Sequence, residues 1–227
     1  VLQPYARALI PADILPMTRS KSTSPWLRRQ QRDPYVTQAR ERGYRSRAVF
    51  KLEQLDRRHR LLRPRMTVVD LGAAPGGWSQ YAAGRVGPEG RVVANDLQPM
   101  EPIRGVAFIQ GDFRAQAVLQ ALLGAMDGRK ADLVISDMAP NMSGVRSVDQ
   151  PRALSLAELA LQLAQDLLRP GGGFLVKLFQ GEGFEAYVGA CRARFPKVVL
   201  EKPNASRERN REVYVLGRGL CGHASAP

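Results

Sequence analysis

The sequence predicts an α/β protein built on a doubly wound Rossmann-like sheet, and three observations carry that expectation. Short apolar runs rich in β-branched residues alternate along the chain with longer amphipathic stretches, the pattern of strand and crossover helix. One of these runs, Thr67 to Leu71, stops at the glycine-rich loop Gly72-Ala-Ala-Pro-Gly76-Gly77, and a helix-compatible stretch begins at Gly77. Acidic residues then stand at the ends of three later runs, at Asp96, Asp112 and Asp137, where a doubly wound sheet binds its ligand.

The first element with chemical content is that loop. Glycines remove side chains where the backbone turns sharply and a ligand approaches closely, and Pro75 stiffens the segment. Strand, glycine loop and helix in this order form a nucleotide cradle. A phosphate-binding P-loop requires Lys followed by Ser or Thr, which is absent, and the glycine spacing is not that of a dinucleotide site. With Asp70 just ahead of it, the loop suits S-adenosylmethionine, which brings an amino acid, a sulfonium cation and a ribose but no phosphate. An ordinary strand-to-helix turn accounts for the loop alone equally well.

Ahead of the cradle the chain is strongly basic. The whole sequence of 227 residues carries a net charge of +13, and Thr18 to Arg65 holds 15 Lys or Arg against 4 Asp or Glu, so nearly all the excess precedes the loop. Such placement points to a polyanion held by counterion release, with a solvated basic tail as the competing account. Residues 1–25 read as a flexible extension, with Met17 as an alternative start. From 26 to 65 a basic, RNA-binding helical segment is expected. There Trp26 and Tyr35 are interleaved with Arg28, Arg29, Arg32, Arg40 and Arg42, a mixture suited to stacking and phosphate contact. Ser46 to Leu62 places Val49, Leu52, Leu55 and Leu62 at helical spacing with arginines around them, and Lys51 lies on that helix.

The core domain is expected from 66 to 217. Arg91 to Leu97 forms a second strand, with Asp96 about 20 residues past the glycine loop, where a carboxylate accepts hydrogen bonds from ribose hydroxyls. Val106 to Gln110 is the third strand, and Asp112 after it is placed to receive an adenine amino group. Arg114 to Ala125 reads as a helix, Asp132 to Ser136 as the fourth strand, and Asp137 follows directly. Pro151 opens a helix through Leu168 that Pro170-Gly171-Gly172-Gly173 ends. In the strand Gly173 to Phe179, Lys177 is the one polar side chain among apolar neighbours. Burial there lowers a lysine pKa and nearby carboxylates raise it, so the two effects oppose each other. Phe184 to Phe195 is helical, Lys197 to Lys202 an edge strand, and Glu212 to Gly217 the seventh and last strand, with 218–227 as a tail. If the last strand runs antiparallel, Glu212 lies at the same edge as Asp137 and Lys177.

The segments YRSRAVFKL, VVDLGAAPGGWSQ, GDF, SDMAPNMSG, LVKLFQGEGF and SRERNREVY closely resemble the bacterial FtsJ/RrmJ (RlmE) family of 23S rRNA uridine 2'-O-methyltransferases. The resemblance runs from about Trp26 to Leu216. It implies a methyltransferase fold with an antiparallel last strand, S-adenosylmethionine as donor and 23S rRNA of the large ribosomal subunit as partner. By the same resemblance Lys51, Asp137, Lys177 and Glu212 fall on the family's catalytic set, and Gly76, Trp78, Asp96, Asp112 and Asp137 on its cofactor contacts. Lys177 is then either the base for the ribose hydroxyl or the group that steers it.

Other readings fit less well. A pyrimidine C5 methylase commonly uses a cysteine nucleophile, yet Cys191 falls in an expected helix and Cys221 in the tail. Methylation of tRNA ribose uses the same kind of site, and a non-catalytic ribosome-assembly factor or a nicotinamide oxidoreductase shares the fold. Two cysteines and two histidines without ligand spacing give neither a disulfide framework nor a metal site. No apolar run approaches a membrane span and the first residues make a poor signal peptide, so a cytoplasmic monomer is expected.

Overall fold

The computed structural model describes residues 33–140, 143–207 and 210–222. The expected extension 1–25, together with Trp26, Arg28, Arg29 and Arg32, lies outside them. Two helices precede the sheet, α1 (Pro34–Glu41) and α2 (Val49–His59). The remaining elements are β1 (Thr67–Leu71), α3 (Gly77–Val86), β2 (Arg91–Asp96), β3 (Val106–Gln110), α4 (Gln116–Ala125), β4 (Ala131–Ser136), α5 (Arg146–Leu167), β5 (Leu168–Phe179), α6 (Phe184–Arg192), β6 (Lys197–Glu201) and β7 (Glu212–Arg218).

The seven strands form one sheet in the order β3-β2-β1-β4-β5-β7-β6. Parallel pairing runs from β3 across to β5, and β7 is antiparallel to both its neighbours. Strand order reverses between β1 and β4, so a crevice opens outside their carboxyl ends. β1 is buried at every position, as its continuous apolar run requires of a central parallel strand.

Each face of the sheet has its own core. On one, Leu52 and Leu55 of α2 and Trp78 and Ala82 of α3 pack on Val68, Ile135, Leu175 and Tyr214. On the other, α4, α5 and α6 supply Leu122, Ala160, Leu161, Val188 and Cys191 against Val69, Val134, Phe174 and Val176. Lys51 stands one helical turn before Leu55, so the stripe that docks α2 carries this lysine inward with it.

Several boundaries differ from the sequence reading, each for a local reason. Helix α2 spans Val49–His59 rather than 46–62; the Asp56 carboxylate accepts the Leu62 N–H at 2.8 Å and so holds Leu62 in the core beyond the helix end. Helix α4 begins at Gln116 because Arg114 turns back onto Asp112, its N–H donating to Oδ1 at 3.0 Å. Helix α5 begins at Arg146, five residues before Pro151. The Asp149 carboxylate accepts the N–H groups of Ser143 and Gly144 at 2.8 and 3.0 Å, which closes the preceding turn without any apolar periodicity to signal it. Helix α6 stops at Arg192. Strand β5 starts at Leu168, since a register shift between Ala131 and Leu133 keeps the Pro-Gly-Gly-Gly segment in the ladder. Past Gly217, β7 continues to Arg218, and Leu220 accepts the Gly171 N–H at 2.9 Å and packs into the core.

Candidate active site

Four charged residues from four elements meet beside the crevice. Asp137 leaves the end of β4, Lys177 lies near the end of β5, Glu212 opens β7 and Lys51 comes from α2. The antiparallel register pairs Lys177 with Tyr214, and Glu212 follows two residues away on the same face. Lys177 Nζ lies 3.0 Å from Asp137 Oδ1 and donates to the Asp137 carbonyl at 2.6 Å. Lys51 Nζ lies 3.0 Å from Glu212 Oε1 and 3.6 Å from Asp137 Oδ1. Lys51, Lys177 and Glu212 are all buried. Two cations against two anions leave the cluster neutral overall, the condition under which charges tolerate removal from water.

Tyr214 completes the cluster, and no sequence signal marks it because EVYVLG reads as plain core. Its hydroxyl donates to Asp137 Oδ1 at 2.6 Å. Burial, then the charges of Asp137 and Glu212, push its pKa well up, so it remains a neutral donor. For Asp137, burial alone raises the pKa. The fields of Lys177 and Lys51 and the Tyr214 hydroxyl outweigh burial and hold the carboxyl below the ordinary range, ionised at neutral pH.

Beside this cluster lies a cleft of about 380 Å³, bordered by Gly72, Asp96, Asp112, Asp137 and Met138. A hollow of about 60 Å³ adjoins it, sharing Gly72, Ala74 and Asp137 and reaching Asp70 and Trp78. Asp96 fixes the loop, accepting the Ala74 N–H at 2.9 Å and the Gln98 N–H at 2.8 Å. Asp112 is gripped by the Arg114 guanidinium at 2.5–2.9 Å. Gly76 has φ 103°, and a Cβ there would lie 2.6 Å from Ile103 Cδ1. Trp78 donates from Nε1 to the Ala48 carbonyl at 2.8 Å and packs on Tyr214 with ring centroids 5.8 Å apart, which ties α3 to α2 and the charged cluster. Of the residues expected from the sequence, Lys51, Asp137, Lys177 and Glu212 meet in the charged cluster, Asp96 and Asp112 border the cleft and Trp78 the hollow, whereas Gly76 lies in the loop against Ile103 and lines neither.

The FtsJ-like methyltransferase family model matches residues 44–220. The chain belongs to the FtsJ-like methyltransferase family. A curated relative from Chromohalobacter salexigens, named Ribosomal RNA large subunit methyltransferase E, is 56% identical over 203 residues, 89% of this chain and 97% of its own length. A solved ribosomal RNA methyltransferase from Plasmodium falciparum superposes with a TM-score of 0.70 at 26% identity, covering 79% of this chain and all of that one. An rRNA methylase structure from Clostridium thermocellum, at 20% identity and a TM-score of 0.50, covers 74% of this chain and 97% of its own and shares the fold alone. This FtsJ-like chain is accordingly a methyltransferase. No group of residues able to hold a metal ion occurs among the described residues, and none of the described helices is long and apolar enough to cross a membrane.

The crevice of this FtsJ-like enzyme fits a cationic, phosphate-free methyl donor. Its acidic lining includes Asp96, Asp112 and Asp137, and Arg114, the one cation among its described lining residues, is already paired with Asp112. A pyrophosphate would find acids where it needs cations. Space is also reserved. A Cβ on Gly72 would overlap Met138 Cγ, and φ there is 74°. Gly72→Ala is expected to lower stability by about 1–2 kcal/mol from the left-handed backbone alone and to weaken donor binding further by displacing Met138. Urea unfolding and calorimetry with S-adenosylmethionine check the two effects separately.

Asp70, at the floor of the small hollow, is 1% exposed and accepts the Ser79 hydroxyl at 2.6 Å. Burial, with added repulsion from Asp137 and Asp96, pushes its pKa up to about 7. A carboxyl whose folded pKa exceeds its unfolded value of about 3.9 keeps its proton longer in the native state. Its contribution to stability therefore falls as pH rises from about 4 to about 7, then levels off. Asp70→Asn should flatten that part of the stability profile while retaining the Ser79 bond. Unchanged slopes in urea unfolding across that interval would show that Asp70 does not titrate there.

Proposed function

We propose that this enzyme transfers a methyl group from S-adenosylmethionine to the 2'-hydroxyl of a uridine in 23S rRNA of the large ribosomal subunit, acting in the cytoplasm as a monomer. The observation that carries the reading is the Lys51–Glu212 and Lys177–Asp137 cluster set against an acid-lined crevice. The relative named for the large-subunit RNA supports the substrate, and the resemblance of the motifs supports the ribose position. When bound, the donor supplies an electrophilic methyl carbon on a positively charged sulfur. In the transfer the carbon–sulfur bond would break as a carbon–oxygen bond to the ribose forms, and the hydroxyl proton would pass to Lys177 or to solvent.

The chain's own groups align that displacement. Gly72 and Gly76 give the donor access to the backbone, while Asp96 and Asp112 accept from its ribose hydroxyls and adenine amino group. Lys177 directs two of its hydrogens at Asp137 and turns its remaining valence to the ribose oxygen. Asp137 and Tyr214 fix that ammonium, and Lys51, held by Glu212, positions the acceptor nucleotide. In a second reading Lys177, buried beside Asp137, is the group that takes the hydroxyl proton. A kcat that rises with pH along a log-linear limb identifies the base, and a level profile identifies the steering group.

The test is methyl mapping on RNA from cells lacking the protein, after the protein and labelled donor are added back. Label in one 2'-O-methyluridine of 23S rRNA is expected. Label in tRNA or on a base would overturn the substrate assignment. Binding to this RNA should weaken steeply with salt if the basic segment makes several phosphate contacts.

A further inference from the structure

The basic charge ahead of the sheet is unevenly available. Arg42 and Arg57 pair with Glu53, Arg58 with Glu201 and Arg65 with Glu89. Arg45 donates to the carbonyls of Glu101 and Pro102, and Arg47 to that of Ala205. The side chains of Arg60 and Arg63, both exposed, make no hydrogen bond or ion pair with any described residue.

These two arginines border a groove of about 240 Å³ with Arg169, Arg218 and the apolar floor of Leu61 and Leu216. Among the described lining residues one carboxylate, Asp132, faces the four guanidiniums. It is already occupied by Arg169 Nε at 2.7 Å and the Thr67 N–H at 2.7 Å. Arg218 is held by the His59 carbonyl, which leaves its charge uncompensated. The groove lies at the amino ends of β1 and β4, and five residues of extended chain from Asp132 to Asp137 put it about 17 Å from the reaction centre. A second observation concerns the backbone. Three described non-glycine residues have positive φ, and two of them, Arg60 (φ 52°) and Arg65 (φ 71°), are arginines in this short connector. Glycine or asparagine adopts that conformation at lower cost; Arg60 lines the groove, while Arg65 lies outside its lining and pairs with Glu89.

We propose that the groove formed by Arg60, Arg63, Arg169 and Arg218 binds the phosphodiester backbone of a second segment of the RNA substrate, on the opposite edge of the sheet from the methyl-transfer centre. The proposal rests on the ribosomal RNA reading above. The guanidinium forks match phosphate oxygens, and the separation means that the acceptor nucleotide cannot itself fill both sites. A large folded RNA can reach both edges, so the groove adds affinity for the intact particle and leaves the chemistry alone.

The test uses the full chain and large ribosomal subunits from cells that lack it. In Arg60→Glu/Arg63→Glu, KM for these subunits should rise roughly tenfold or more and the salt dependence of binding should lose a slope of about 2, one for each phosphate contact. The kcat at saturating subunits and the affinity for S-adenosylmethionine should match wild type. Arg60→Lys/Arg63→Lys should restore most of the affinity. An unaltered KM and salt slope in the charge-reversed protein overturns the proposal, as does a fall in kcat or donor affinity, which would mean the groove acts through the fold. Wild-type inactivity on the subunits would instead refute the substrate reading, and salt-dependent binding of purified 23S rRNA would then judge the groove alone.

Discussion

Lys177→Ala abolishes methyl transfer while S-adenosylmethionine still binds. The expected loss in kcat is about 10²- to 10⁴-fold, the range for removing a group that handles the reacting proton or oxygen. Donor affinity should stay within about threefold, because Lys177 contacts Asp137 and does not border the large cleft. The fold should survive. Asp137 keeps Tyr214 and Lys51 as partners, so truncation leaves no unpaired buried anion. Methyl incorporation and calorimetry on the same preparation provide the comparison, and turnover within tenfold of wild type would exclude Lys177 from the reaction centre.

Asp137→Asn should damage both activity and stability. This carboxylate pairs with both lysines and borders both parts of the crevice. Neutralising it leaves two buried ammonium groups with Glu212 as their one acidic neighbour, and breaking a buried ion pair on one side costs about 3–5 kcal/mol. The sign with pH follows from its lowered pKa. A depressed carboxyl contributes stability that is complete above its unfolded value of about 3.9 and disappears as pH falls through the folded value. The gap between wild type and Asp137→Asn in urea unfolding should therefore hold from neutral pH to about pH 4 and close under stronger acid. A gap that is absent at pH 7 would show that the lysines do not depend on this charge.

The sheet was readable because central parallel strands are buried on both sides and so appear as unbroken apolar runs, Thr67–Leu71 being the clearest. The glycine loop was readable because Gly72 and Gly76 occupy a backbone region that side chains avoid. Gathering Glu212 with Lys177 needed one topological condition, an antiparallel final strand, and the ladder meets it. Long-range polar contacts were not readable. Asp149 starts α5 by binding Ser143 and Gly144, and Tyr214 hides a hydroxyl in an apolar strand. Charge counting also missed that Arg42, Arg45, Arg47, Arg57 and Arg58 hold this protein to itself. Composition records how many cations a segment has, but only the fold tells which of them face outward unpaired.

Inserting β7 between β5 and β6 has a consequence for synthesis. The strand that brings Glu212 and Tyr214 is the last of the seven described strands to be synthesised, yet it occupies an interior slot of the sheet. Until it slides into place, Lys51 lacks its nearest acid and β5 lacks a neighbour on one side. A chain cut short before β7 lacks Glu212 and Tyr214 and leaves β5 with an open edge, so the charged cluster is assembled only once this strand has joined the sheet.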